Sequence, residues 1–402
     1  MAPNGAGARA CKEGWIDAFI QYTEGIDSAV IFRRWAAIST IAAVLEQKVY
    51  LDTFSPLYPN LYVFLVGHPG VGKTRTMMAA GAFLKEVPDF NLAPTSLTSA
   101  SLVDSLAAAK RIIIRVPPPA LEYNSMAIMA DELSAFMSEW DKAMVGNLTT
   151  FYDVNPLPYG HERRGKEIKI KIHRPQINLL TGTTPSNLMK LLPEGAWDQG
   201  FTSRIIMIFS DERIVSDDVF AKRSPKMPED MIHDLKIINA LNGPFEVTVD
   251  YKNAINNWRK AGLPPIQTHP KLIHYNTRRL AHLFKLSMIS CVDRSNALLL
   301  NKDDFNRAWN WLVQAEADMP EIFKAGAVGA DSKAMDELVH YCVAMNKGLG
   351  IPEPMLFRRA RELVPAHSVE RVLEIMVRAH MIKVTRTVQG IRFFVANEPG
   401  QG

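Results

Sequence analysis

The residues best suited to chemistry are Lys73 and Thr74, which close the run Gly67-His68-Pro69-Gly70-Val71-Gly72-Lys73-Thr74, and the adjacent carboxylates Asp131 and Glu132. Glycines in such a run let the backbone fold tightly, so that successive N–H groups converge on an anion, and the positive end of a following helix adds to the attraction. The lysine then neutralises the β- and γ-phosphates, and the threonine hydroxyl ligates Mg²⁺. The eight residues of the run, with Arg75 directly after them, are the candidate nucleotide-binding set. Asp131 is the second candidate Mg²⁺ ligand, and Glu132 is the candidate base that orients and polarises an attacking water. ATP and GTP both fit such a loop.

This chemistry requires the loop and the carboxylates to stand at the ends of neighbouring strands. The apolar, β-branched and aromatic stretch 61–66 predicts a buried parallel strand running into the loop, and 77–84 predicts the helix behind it. Residues 126–130, Met-Ala-Ile-Met-Ala, predict a strand that ends on the two acids. A third strand at 177–180 ends in Thr181-Gly182-Thr183-Thr184-Pro185, where Thr184 can reach a γ-phosphate or the lytic water. The competing assignment is a plain strand-to-helix turn capped by Ser186 or Asn187. Ser203-Arg204 precedes another β-run. Arg204 is either a buried structural ion pair or an arginine presented to the γ-phosphate of a neighbouring subunit. Arg278 and Arg279 lie near the start of a long helix at 275–292.

Charge is concentrated in one internal segment. The formal charge of the 402 residues is only +4, yet residues 159–174, YGHERRGKEIKIKIHR, set six Lys/Arg against two Glu. Lys169 and Lys171 alternate with isoleucines, the period of a half-buried strand, and Gly165 separates two charged arms. The expected element is a hairpin with a basic tip. Arg163, Arg164, Lys166, Lys169 and Lys171 are its candidate phosphate contacts on nucleic acid; the alternative is an edge whose lysines prevent strand pairing.

The flanking regions complete an α/β organisation. Residues 1–14 are a Gly/Ala tail, 15–50 a helical segment whose aromatic residues fall on its apolar stripe, and 51–215 the nucleotide core. A charged linker and a helical lid occupy 216–325, with a small-residue linker at 325–330. Residues 331–397 read helix, helix, helix, strand, turn, strand, the layout of a winged helix, and 358–392 carry eight Lys/Arg against three Glu. Winged helices bind DNA or dock proteins. Hydrophobic content of 47 % is ample for cores, no apolar run approaches a membrane span, and the N-terminus lacks the apolar core of a signal peptide. Cys11, Cys291 and Cys342 lack metal or disulfide spacing and suit a reducing cytoplasm.

GHPGVGKT, IMADE, the basic segment, LLTGTTP, TSRIIMIF and TRRLAHLFKL together resemble the AAA+ ATPases, and within them helicases of the superfamily III and minichromosome maintenance kind, nearest to phage and prophage replicative primase-helicases. The resemblance covers roughly residues 15–320. It implies an AAA+ P-loop core with a parallel sheet, a hexameric assembly, and a hairpin that holds single-stranded DNA in a central pore. It further implies Arg204 acting in trans and Arg278 on a nucleotide phosphate. The family usually has Asn where Thr184 stands, and the zinc ribbon or acidic cluster of a primase is missing from the sequence. The implied function is an ATP- and Mg²⁺-dependent helicase acting on single-stranded and forked DNA in phage or mobile-element replication, in the host cytoplasm. Other replication proteins are expected to meet its winged helix. A loader or assembly factor that unwinds nothing is the alternative, and a packaging or transposition regulator is a third.

Overall fold

The computed structural model describes residues 7–113, 120–139, 141–162, 169–192, 194–197, 200–215, 226–345, 350–364, 366–387 and 390–395. The chain forms two compact units, Met1–Ile322 and Phe323–Gly402. Residues 1–6 of the expected tail, residues 216–225 of the expected linker, and Arg163, Arg164 and Lys166 at the hairpin tip lie outside the described residues.

The first unit is α/β, built on a five-stranded sheet. Its strands are Tyr62–Val66, Lys110–Ile113, Leu121–Ala130, Pro175–Thr183 and Ile205–Phe209, and counted along the chain their spatial order is 2-3-4-1-5. Every residue of Tyr62–Val66, Pro175–Thr183 and Ile205–Phe209 is buried. Continuous apolar runs of this kind belong in parallel strands covered on both faces. The expectation of a wholly parallel sheet needs correction, because Lys110–Ile113 runs antiparallel to Leu121–Ala130. Its exposed Ile112 and half-buried Arg111 fit an edge position, where one side of the ladder needs no partner.

The predicted helical prelude divides into Trp15–Tyr22 and Val30–Leu45. Trp15 and Phe19 are fully buried, stack at 5.4 Å, and meet Phe83 of the helix Lys73–Lys85 edge-on. These aromatics therefore form core, as their place on the apolar stripe predicts. A second sheet was not legible in the sequence: Val49–Asp52 pairs in parallel with Gly243–Val247 and antiparallel with Pro56–Leu57, and Leu299–Leu300 completes the order. It ties the start of the core to the segment expected to be only linker and lid.

Helix Arg279–Arg294 packs deep in this unit. The guanidinium of Arg279 forms a buried pair with Glu316, at 2.7 Å for each of two hydrogen bonds. Lys285 donates to the Asn60 carbonyl and side-chain oxygens at 2.8 Å each and lies 4.0 Å from the centre of the Tyr152 ring. His282 is buried with Nε2 at 3.1 Å from the Ser203 carbonyl and Nδ1 at 3.4 Å from the Tyr152 hydroxyl. A carbonyl only accepts, so Nε2 carries a proton. Burial pushes this imidazole down to about 3, against the hydrogen bond to Ser203. The unfolded chain binds a proton near the ordinary value of 6.5 that the folded chain refuses. Stability is therefore lost as pH falls from 6.5 toward 3, by about 1.4 kcal/mol per unit from this residue alone. Chemical denaturation across that range should show a shallower pH slope for His282→Gln than for the parent chain.

Helix Met319–Met345 starts in the first unit, and in the second it is followed by strand Ile351–Pro352, helices Glu353–Leu363 and Val369–Arg378, then the hairpin Ile382–Thr387 and Gly390–Val395. Leu338, Leu356, Ala360, Val372, Met376 and Phe393 form its core. Ile351 pairs with Phe393, so the hairpin gains a third strand. The stretch 325–330, expected as a linker, is helical; its alanines favour helix strongly enough to carry the two glycines. Arg359 pairs with Glu362, Arg371 with Asp331, and Arg378 with Glu374. No helix among the described residues is long and apolar enough to cross a membrane.

Candidate functional site

The loop, the acids and Thr184 meet because of register. Val66 stands opposite Thr183, and Ala130 opposite Thr181, so three parallel strands end together and deliver Gly67, Asp131 and Thr184 to one edge of the sheet. Crevices at such carboxyl edges are where open α/β sheets bind ligands. Here the crevice is a cleft of about 500 Å³ lined by Pro69 to Arg75, Asp131, Glu132, Thr184 and Asp27.

Glycine is required at two points of the loop. Gly72 has φ +80°, and a Cβ there would stand 2.0 Å from the Asp27 carbonyl. A Cβ on Gly67 would approach the Ser210 carbonyl to 2.3 Å. Helix Lys73–Lys85 then starts at the loop with its N-terminus toward the cleft. Lys73 is 8 % exposed, and its ammonium donates to the Gly67 carbonyl at 2.6 Å and the His68 carbonyl at 3.0 Å. Burial lowers its pKa, and the nearby Glu132 opposes that shift. A partly desolvated ammonium held beside a glycine-rich loop and a helix N-terminus can bind phosphate oxygens through charge-assisted hydrogen bonds. Thr74 and Asp131 present exposed hard-oxygen donors to the cleft, which suits Mg²⁺ carried in with phosphates. His68 is exposed, and Arg75 pairs across the surface with Asp27 at 3.4 Å.

Thr184 lines the cleft and also caps helix Pro185–Leu191, its hydroxyl accepting from the Asn187 N–H at 3.3 Å. The cap is therefore Thr184 itself, not Ser186 or Asn187. Asn187 has a different partner: its side-chain amide donates to Glu132 Oε1 at 2.8 Å. Nothing in its residue type or spacing pointed to this contact, which depends on the adjacent ends of strands Leu121–Ala130 and Pro175–Thr183.

Arg204 and Arg278 stand together, away from the loop. Ile205 pairs with Tyr62, so Arg204 lies at the start of its strand, at the edge of the sheet opposite Gly67. Five residues of strand separate the two levels, roughly 17 Å. Arg204 is 7 % exposed, bonded to the Gly200 carbonyl and to Asp153, with its guanidinium 5.8 Å from the Tyr152 ring centre. Arg278 donates to the two Asp153 oxygens at 2.9 Å and 3.3 Å. Burial opposes ionisation of Asp153, but the hydrogen bonds and charges of Arg204 and Arg278 outweigh it and hold the carboxyl below its ordinary value.

The basic hairpin pairs Tyr159–Glu162 with Lys169–Ile172, immediately before strand Pro175–Thr183. Ile172 is buried and Lys171 exposed, as the alternation predicts; Lys169 shares the strand. Arg174 turns inward to Gln47 and Tyr58. No family model matches this chain, and a comparison with curated proteins finds no match.

Proposed function

We propose that the chain is a ring-forming ATPase of the AAA+ kind that hydrolyses ATP between adjacent copies and moves on single-stranded DNA, opening forked duplex in phage or mobile-element replication. The observation that carries this reading is the division of the charged residues between two edges of one sheet. Lys73, Thr74, Asp131 and Glu132 stand at one edge, and Arg204 with Arg278 at the other, out of reach of the same nucleotide. A site split in this way is completed by a second copy, and head-to-tail contacts of this type close into rings. The exposed Lys171 and its hairpin are the proposed DNA contact, and the second unit is the proposed winged helix.

Asn187 is the proposed positioning residue for Glu132. A hydrogen bond to a charged group contributes about 1.5–3 kcal/mol, so Asn187→Ala should slow phosphate release ~10- to 100-fold with nucleotide affinity retained. In a Glu132→Gln background the same substitution should add little further loss, which steady-state kinetics of the double variant checks.

The reading as a motor is tested by unwinding of a forked duplex alongside ATPase activity with and without single-stranded DNA. Lys169→Ala/Lys171→Ala should abolish unwinding and DNA stimulation while basal ATPase persists. ATPase indifferent to DNA, without strand separation by the parent chain, would assign the protein to helicase loading instead.

A further inference from the structure

Asp153 caps the C-terminal end of helix Lys142–Tyr152. A carboxylate there faces the negative end of the helix dipole, so the helix itself disfavours it. Arg204 and Arg278 hold it in place. The carboxylate side chain remains 44 % exposed, whereas that of Arg204 is 9 % exposed. Arg204 Nε is buried with no hydrogen-bond partner among the described residues. Two guanidinium forks converging on a half-exposed carboxylate offer more donors than it can accept, and they match the several oxygens of a phosphate.

We propose that Arg204 and Arg278 form a phosphate site that Asp153 fills within the single chain, and that the terminal phosphate of a nucleotide held by a second copy displaces it. The source of the phosphate rests on the function proposed above; the anion site does not. Displacement would be felt at the hairpin. Val154 is buried at φ +49°, a left-handed conformation that strains a β-branched residue, and only a few residues then lead to Tyr159. Tyr159 is anchored to the same helix, its ring 5.0 Å from Phe151 and its hydroxyl donating to Asn147 at 3.2 Å. The helix end that carries Asp153 thus also carries the base of the basic hairpin.

The test uses the full chain with Lys73→Ala, which silences the loop, and inorganic tripolyphosphate as the calorimetric probe. A resident anion lowers apparent affinity by the fraction of time the site is free, so Asp153→Asn or Asp153→Ser should tighten binding ~10-fold. Adding Arg204→Ala or Arg278→Ala should remove that gain. No gain in a variant that keeps the parent's circular dichroism overturns the proposal. If neither variant folds, Asp153 is a structural ion pair and the proposal falls as well. With Lys73 intact, Asp153→Asn should lower the protein concentration for half-maximal ATPase several-fold without DNA. A gain that appears only with a single-stranded oligonucleotide would overturn the nucleotide as the source. A tripolyphosphate gain in a chain whose parent shows no ATPase at any concentration would sustain the anion site and sink the proposed function.

Discussion

Glu132→Gln should lower ATP turnover by roughly 10²- to 10⁴-fold while ATP affinity stays near that of the parent chain. The carboxylate sits at the end of strand Leu121–Ala130, lines the cleft, and is oriented through a 2.8 Å hydrogen bond from Asn187. Glutamine keeps the shape of the side chain but cannot take a proton from water. Binding should survive because Lys73 and the glycine-rich loop, the proposed phosphate holders, line the cleft and are untouched by the change. Equilibrium binding of a fluorescent ATP analogue, measured beside single-turnover hydrolysis, separates the two effects. Equal loss of both would mean that Glu132 holds the loop together and is not the base.

Arg204→Ala should cost ~10³- to 10⁵-fold in turnover of the assembled protein, the range for a guanidinium that neutralises charge developing on a transferring phosphoryl group. Its burial against Tyr152 and its pairing with Asp153 mean that the substitution also lowers stability. Arg204→Lys therefore serves as the companion: it keeps the charge beside Asp153 but loses the planar fork. A folded Arg204→Lys chain with strongly reduced turnover and parental ATP affinity fits a role in the reaction. Thermal unfolding reports the structural part separately. Parental turnover in both variants would leave Arg204 only its ion pair.

Much of the core was legible because it depends on local rules. The apolar run ending in Gly67 had to be a covered strand, and the glycines had to allow the close approach now seen at Asp27 and Ser210. The isoleucine–lysine alternation placed the hairpin, and two acids after an apolar strand placed the other wall of the cleft. What escaped was set by distant partners. Val49–Asp52 and Gly243–Val247 are separate short runs whose pairing appears only in three dimensions. Arg278 and Arg279 are adjacent and identical in type, yet one faces Asp153 and the other is buried on Glu316, a choice made by helix phase and tertiary packing. Asp153 carries no motif; its meaning comes from the arginines folded against it.

The claim that the site is shared between copies has a direct test: mixing Arg204→Ala chains with Glu132→Gln chains, each nearly inactive alone. In a head-to-tail ring, an interface formed by the loop of an Arg204→Ala copy and the arginine of a Glu132→Gln copy is intact. An equal mixture that exchanges subunits freely should recover up to about a quarter of parental ATPase, since about one interface in four is of that kind. A mixture no more active than its components, despite demonstrated subunit exchange, would contradict the shared site.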